Sequence, residues 1–398
     1  MATLTIRMPH VHRSPFVILR LLGLPLAIVS LLGSPGALAD DSDPWAESIA
    51  QRAREGVLLN HEGRYDAADE IWTKLQRDYP DHPAGAIFAV ETLYSRHVYD
   101  LFEPRYATAI ESKGREASRL AKDWQASHRD SARAYLYLGQ AEMQLGRLDA
   151  ASRNFYAAGR HAERASDNLD RALELDPELV DARYWLGMYL YSAATLPNLL
   201  HWFDWLWFIP EGDGPRGLEM LREVSESGDI EQLSANLLLL NIFTYFERDY
   251  AVATSLARRL NARFSYNTFV HFELIRLLLS QRQYDATIEE AKRLESHPGQ
   301  DRLDRGRVVM ARVWRARALN ASGNMDESAT LLAQIDPENE AIPLWGRGWV
   351  HLLKGQMEHA YGRRDEALSE LEKISGLTGV SRAVRRRANR EIERILDE

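Results

Sequence analysis

The sequence contains no cysteine. That excludes disulfides, thiolate metal sites, a cysteine nucleophile and a lipidated cysteine anchor. Absence of cysteine also fits an oxidising compartment. A basic surplus is missing too: 49 Lys and Arg stand against 58 Asp and Glu, a formal charge of -9. A general nucleic-acid binder needs a basic footprint, so that class is set aside. After the amino terminus there is no apolar run long enough to cross a bilayer.

Catalytic and metal patterns are equally scarce. The 12 histidines are scattered, with no His-Glu-x-x-His pair. His351 and His359 could share a helix face but not one metal ion. No serine sits in a Gly-x-Ser-x-Gly turn. Gly212-Asp213-Gly214 is a turn without the spacing of a phosphate-cradling loop. Paired carboxylates such as Glu289-Glu290 are ordinary solvated helix surface. The expectation is a protein that is not an enzyme, with no cofactor, no metal and no small-molecule substrate.

The amino terminus does carry a signal. Arg7, His10, His12, Arg13 and Arg20 form a basic region without acids. Leu21 to Leu32 is apolar apart from Gly23, Pro25 and Ser30. Ser34-Pro35-Gly36 breaks any helix, and Ala37-Leu38-Ala39 is the small-x-small pattern that a signal peptidase cuts. Residues 1–39 therefore read as a cleaved export signal, with an uncleaved anchor as the alternative. The apolar stretch is about a dozen residues, short of the roughly 20 that span a bilayer. Without Arg7, Arg13 and Arg20, 46 basic residues would face 58 acids, a charge of -12. The predicted location is the periplasm or cell envelope.

After a polar linker, 40–48, the chain repeats a helix-turn-helix unit. Ile49 to His61 is helical in pattern, Glu62-Gly63-Arg64 is a tight turn, and Tyr65, Ala68, Trp72 and Leu75 share one face of the next helix. Pro80 and Pro83 end that helix. Gly56 and Ala68 are small enough for close helix approach, while Tyr65 and Trp72 fill space against the following pair. The logic recurs at Tyr135–Ala158, Leu237–Leu260, His271–Leu294, Val313–Ile335 and Leu352–Ile374. Turns at Arg248 and Arg282 are 34 residues apart, and later spacings stretch to 41 and 39. Residues 84–127 add another pair with a longer connection. Residues 159–175 lengthen one repeat. Ser381 to Leu396, with Val384, Ala388, Ile392, Ile395 and Leu396 on one face, reads as a helix capping the open end of the array.

A period of 34 residues with these small and aromatic positions resembles the tetratricopeptide repeat (TPR). The resemblance covers most of residues 49–376, although Thr287 and Ser328 stand where the pattern has alanine. It implies an all-α, TPR-like right-handed α-solenoid: N-terminal repeats over 49–180, a repeat with an insertion over 181–227, C-terminal repeats over 228–376 and a cap over 377–398. By the same resemblance, a concave groove would present Gln140, Tyr184, Met188, Tyr191, Tyr245, Phe272, Arg276, Val313 and Arg317 to an extended or helical peptide. Arg276 and Arg317 would then orient its acidic groups.

The insertion, 197–210, is the most unusual stretch. Trp202, Phe203, Trp205, Trp207 and Phe208 leave so little polar surface that something must cover it. Folding back into the core, docking a partner protein and sitting at a membrane boundary, where Trp is favoured, are the three readings. Its flanks, Ala193-Ala194-Thr195-Leu196-Pro197 and Gly212 to Leu221, look like a motif of exported bacterial TPR proteins. They are also faintly similar to the Iml2/TTC39-type repeat proteins. Arg382, Arg385, Arg386, Arg387, Arg390 and Arg394 make the last helix basic, most simply as a solvated face. The function expected is a scaffold holding a protein or peptide partner in the envelope. A peripheral membrane module using the insertion as a wedge is the alternative.

Overall fold

The computed structural model describes residues 46–99, 104–152, 154–195, 212–299, 303–339 and 341–398. The insertion aromatics and the amino-terminal signal lie outside these described residues.

Every regular element among the described residues is helical, and the helices pair into eight hairpins plus a last single helix. The first four hairpins are α1 (Ala46–His61) with α2 (Tyr65–Asp78), α3 (Ala84–Tyr99) with α4 (Pro104–Ser127), α5 (Ala132–Ala151) with α6 (Phe155–Leu175), and α7 (Val180–Ala194) with α8 (Gly214–Ser227). Then follow α9 (Gln232–Asn241) with α10 (Tyr250–Arg263), α11 (Thr268–Ser280) with α12 (Tyr284–Glu295), α13 (Arg305–Ala321) with α14 (Met325–Ala333), and α15 (Leu344–Ala360) with α16 (Arg364–Gly376). The cap is α17 (Arg382–Asp397). The odd-numbered helices form the inner layer, α1, α3, α5 and α7 packing in one succession and α11, α13, α15 and α17 in another, with the even-numbered helices behind them.

Local chemistry sets the helix starts. Ser131, Asp213, Asp249, Asn267, Asp304 and Ser381 each accept a backbone N–H three residues on, filling donors that the first helical turn leaves open. Pro215 lies in the first turn, two residues after the Asp213 cap, where its missing N–H does no harm. Five of the hairpin turns place a residue in the left-handed region. Gly63, Gly323 and Gly362 supply it, but Arg248 and Arg282 adopt the same conformation at φ 56° and 59°. A side chain there costs roughly 1–2 kcal/mol.

Packing follows the small-and-large pattern. Trp72 is 2% exposed and sits where a Cβ on Gly56 would come within 2.1 Å of its ring. Fully burying such a side chain contributes on the order of 2–3 kcal/mol. The two positions with a hydroxyl in place of alanine are both buried and both satisfied. Thr287 donates to the Gln283 carbonyl at 2.8 Å and Ser328 to the Ala316 carbonyl at 2.7 Å. On α17, Val384, Ala388 and Ile395 are buried against the last hairpin, whereas Leu396 is exposed. Arg385 fixes this cap through the carbonyls of Ile374, Ser375 and Leu377. No helix among the described residues is long and apolar enough to cross a membrane.

Candidate functional site

The inner layer behaves differently in its two halves. In the amino half it closes on itself. Arg54 on α1 is paired with Asp229 just before α9, and His61 Nε2 lies 3.0 Å from Ser234 Oγ on α9. Between them, Trp185 Nε1 on α7 donates to Glu231 at 3.1 Å. Asp181 accepts the backbone N–H groups of Asp229, Ile230 and Glu231 at 2.9, 2.9 and 3.2 Å. Arg147 on α5 reaches Glu91 on α3 at 3.0 Å and lies over the Tyr94 ring. A cavity of about 50 Å³ lies among these groups, lined by Asn60, His61, Glu91, Tyr184, Glu231 and Ser234. That is room for water, not for a peptide.

The closure sets unusual protonation states. Burial, with Asp181 and Glu91 adding repulsion, pushes the Glu231 carboxyl up to about 8. Burial alone lowers the His61 imidazole to about 4. The two groups are therefore largely uncharged where they face the cavity at neutral pH.

Several groove residues expected from sequence are consequently inside. Gln140 is 3% exposed, and Tyr184 is partly buried against Trp185. Tyr191 is 5% exposed, with its hydroxyl donating to Glu247 at 2.7 Å. Met188 is partly buried and lines an apolar cavity of about 390 Å³ with Met143, Phe155, Tyr189, Ile242 and Phe246. Farther along the chain, Val313 is fully buried and Phe272 nearly so. Neither of these offers contact area to a partner. Phe272 and Val313 pack within the core formed with neighbouring helices.

Aromatic side chains are exposed in the carboxyl half. Tyr245 is 49% exposed, at the end of α9 where the helix widens into a π-turn over Ile242–Phe246. Its hydroxyl donates to Glu273 at 3.1 Å. Arg276 stacks 4.8 Å over the Tyr245 ring and donates to the same Glu273 carboxylate at 2.9 Å. Arg276 is thus already neutralised, a pairing that sequence could have flagged because the two residues are three apart on one helix. Trp345, 38% exposed, stands 6.1 Å from Phe272 between ring centroids. Arg317 is partly buried, 4.9 Å over the Trp349 ring.

A second cleft, about 720 Å³, lies between α4, α5 and α6. Its deepest acid, Glu142, is 2% exposed at the side chain and takes His161 at 2.7 Å and Arg164 at 2.8 Å. Burial pushes that carboxyl up, but these two hydrogen bonds prevail and hold it near about 2. The cleft's ionisable groups pair with one another, as in Arg115–Glu111, Arg119–Asp123, Lys122–Glu142 and His161–Asp149. No group of His, Asp or Glu among the described residues is arranged to hold a metal ion.

The described chain is an all-α, TPR-like solenoid. Among solved structures it is similar to yeast Tom70, at 12% identity and TM-score 0.39, covering 89% of this chain and 90% of that one. It is also similar to a tetratricopeptide repeat protein from Parabacteroides merdae, at 12% identity and TM-score 0.27, covering 88% and 100%. The P58(IPK) TPR domain matches at 13% identity and TM-score 0.26, covering 88% and 98%. No protein-family model and no curated protein matches the sequence.

Proposed function

We propose that this chain is a non-catalytic scaffold of the cell envelope that holds a protein or peptide partner along the carboxyl half of its inner face. The observation that carries this reading is the contrast between the halves. The amino half spends its inner polar groups on self-closure, while Tyr245 after α9 and Trp345 on α15 stay exposed in the other half. Exposed aromatics on a rigid surface are the usual anchors of a protein interface. The export-signal pattern of residues 1–39 supports the envelope as the place of action.

Affinity capture from an envelope extract tests it, using residues 40–398 as bait beside a Tyr245→Ala/Trp345→Ala variant. A partner held by the parent and lost by the variant, with the helical circular dichroism of both unchanged, is the expected outcome. Equal retention by both baits overturns the reading. The membrane alternative rests on the insertion sequence alone, through Trp202, Phe203, Trp205, Trp207 and Phe208.

A further inference from the structure

We infer that the apolar cavity between α5, α6, α7 and the π-turn after α9, together with the polar cleft that adjoins it, binds a single-chain lipid, with the acyl chain in the cavity and a zwitterionic head in the cleft. Neither Tyr245 nor Trp345 takes part, so this goes beyond the scaffold reading.

The cavity holds about 390 Å³, within the size range of small-molecule sites. Among the described residues its walls include Met143 and Gly146 on α5, Ala158 and Ala162 on α6, Met188 on α7 and Phe246 on the π-turn. Thioethers among small residues suit a flexible chain, because Met adapts its shape to what it touches. The guanidinium that reaches the cavity, Arg147, is already held by Glu91 at 3.0 Å and lies over the Tyr94 ring. An ionised head inside would therefore lack a counter-charge. The walls are helix faces whose backbone groups bond within their own helices, so an entering peptide would leave its amides unpaired. A hydrocarbon chain has no such groups to lose, and it restores the dispersion contacts that an empty cavity forfeits. Phe246 lines the cavity yet is 60% exposed, which marks the opening, and its ring meets Tyr191 edge-on at 6.2 Å. Tyr191 and Thr195 also line a cleft of about 890 Å³ that receives Asp213, Arg222 and Glu247. Arg222 lies 5.6 Å over Phe243, and its guanidinium makes no ion pair among the described residues. Asp213 spends one oxygen on the start of α8 and Glu247 one on the Tyr191 hydroxyl, and both side chains are exposed. One cation and two acids in one cleft match a head that carries both signs, its phosphate toward Arg222 and its ammonium toward the carboxylates. A purely anionic head would meet more negative than positive charge there.

The test is isothermal titration of the delipidated mature chain with lysophosphatidylethanolamines bearing octanoyl to myristoyl chains, below their micelle thresholds. Glycerophosphoethanolamine, the head without the chain, and a monoacylglycerol, the chain without the charges, are separate probes. The expected result is one lysolipid bound per protein, with affinity rising about fourfold per methylene from octanoyl to lauroyl, and no binding of the bare head. Ala158→Trp, at a partly exposed lining position, is expected to weaken both lipids at least about tenfold, since an indole takes the space of several methylenes. Arg222→Gln is expected to weaken the lysolipid by about fivefold and leave the monoacylglycerol unchanged. Tyr361→Ala, an exposed aromatic of the last hairpin, changes neither. Binding of the bare head, an affinity indifferent to chain length, or undiminished lysolipid affinity in Arg222→Gln each overturns the inference. So does undiminished affinity in Ala158→Trp with its helical circular dichroism intact. Lipid binding that appears only when Trp205 and Trp207 are replaced by serine overturns it as well, because the cavity then belongs to the chain's own insertion. None of these outcomes involves Tyr245 or Trp345, so the scaffold reading is judged separately.

Discussion

Arg54 and Asp229 are 175 residues apart in sequence, yet two parallel hydrogen bonds of 2.5 and 2.8 Å join them. The pair itself is exposed and contributes at most about 1 kcal/mol. Its value is diagnostic. It marks where the first hairpin meets the fifth and the inner face of the amino half is shut.

Glu231 sits behind that pair and makes the closure pH-sensitive. Its folded value, about 8, lies above the roughly 4.3 of an unfolded glutamate. The folded chain therefore holds a proton that the unfolded chain has lost, and stability falls as pH rises from about 4.5 to about 8. His61, lowered to about 4, acts with the opposite sign. It loses stability as pH falls from about 6.5 toward 4. The two effects oppose each other between about pH 4.5 and 6.5, and above that window Glu231 acts alone. Urea unfolding of Glu231→Gln beside the parent is expected to show a difference growing by up to about 1.4 kcal/mol per pH unit from pH 6.5 to 8. A constant difference across that range contradicts the assignment.

Asp181 anchors the start of α9 through three backbone donors. Truncation to alanine strands those N–H groups at a buried position. Asp181→Ala is expected to lose about 3 kcal/mol in denaturant unfolding, with the helix content of the native baseline preserved. A loss under about 1 kcal/mol would show that water replaces the carboxylate.

Gly56 and Trp72 give the packing test. A methyl group at Gly56 would overlap the indole at 2.1 and 2.4 Å. Gly56→Ala is expected to destabilise by about 1–3 kcal/mol despite the better helix propensity of alanine. An unchanged or raised melting temperature would refute the close approach of α1 and α2.

Much of this architecture was legible in sequence because it is local. Trp72, Ala68 and Leu75 share a face at helical spacing, and the same few residues decide how α1 meets α2. The hairpin turns were visible even where Arg248 and Arg282 replace glycine. The closure was not legible. Arg54 meets Asp229 only through the summed rotations of four hairpins, which no short window encodes. For the same reason the repeat pattern placed Gln140, Phe272 and Val313 on the inner face without revealing that neighbouring helices bury them. Arg387 read as one charge among many on a basic helix, and its place beside Trp349 depends on how α17 docks. Trp202 to Phe208 lie outside the described residues, and their role is approachable only by experiment.

That experiment is liposome co-sedimentation of residues 40–398 with a Trp205→Ser/Trp207→Ser variant. The wedge alternative requires binding by the parent and a clear loss in the variant, because interfacial Trp supplies the attraction. The scaffold account expects no lipid binding that depends on these two residues.

The most direct measurement is site-specific photo-crosslinking in the native envelope, with the reactive amino acid placed at Tyr245 in one chain and at Tyr184 in another. The account predicts a discrete crosslinked partner from position 245 and none from position 184, where α7 faces the sealed half. A partner captured from 184, or none from 245, would contradict it.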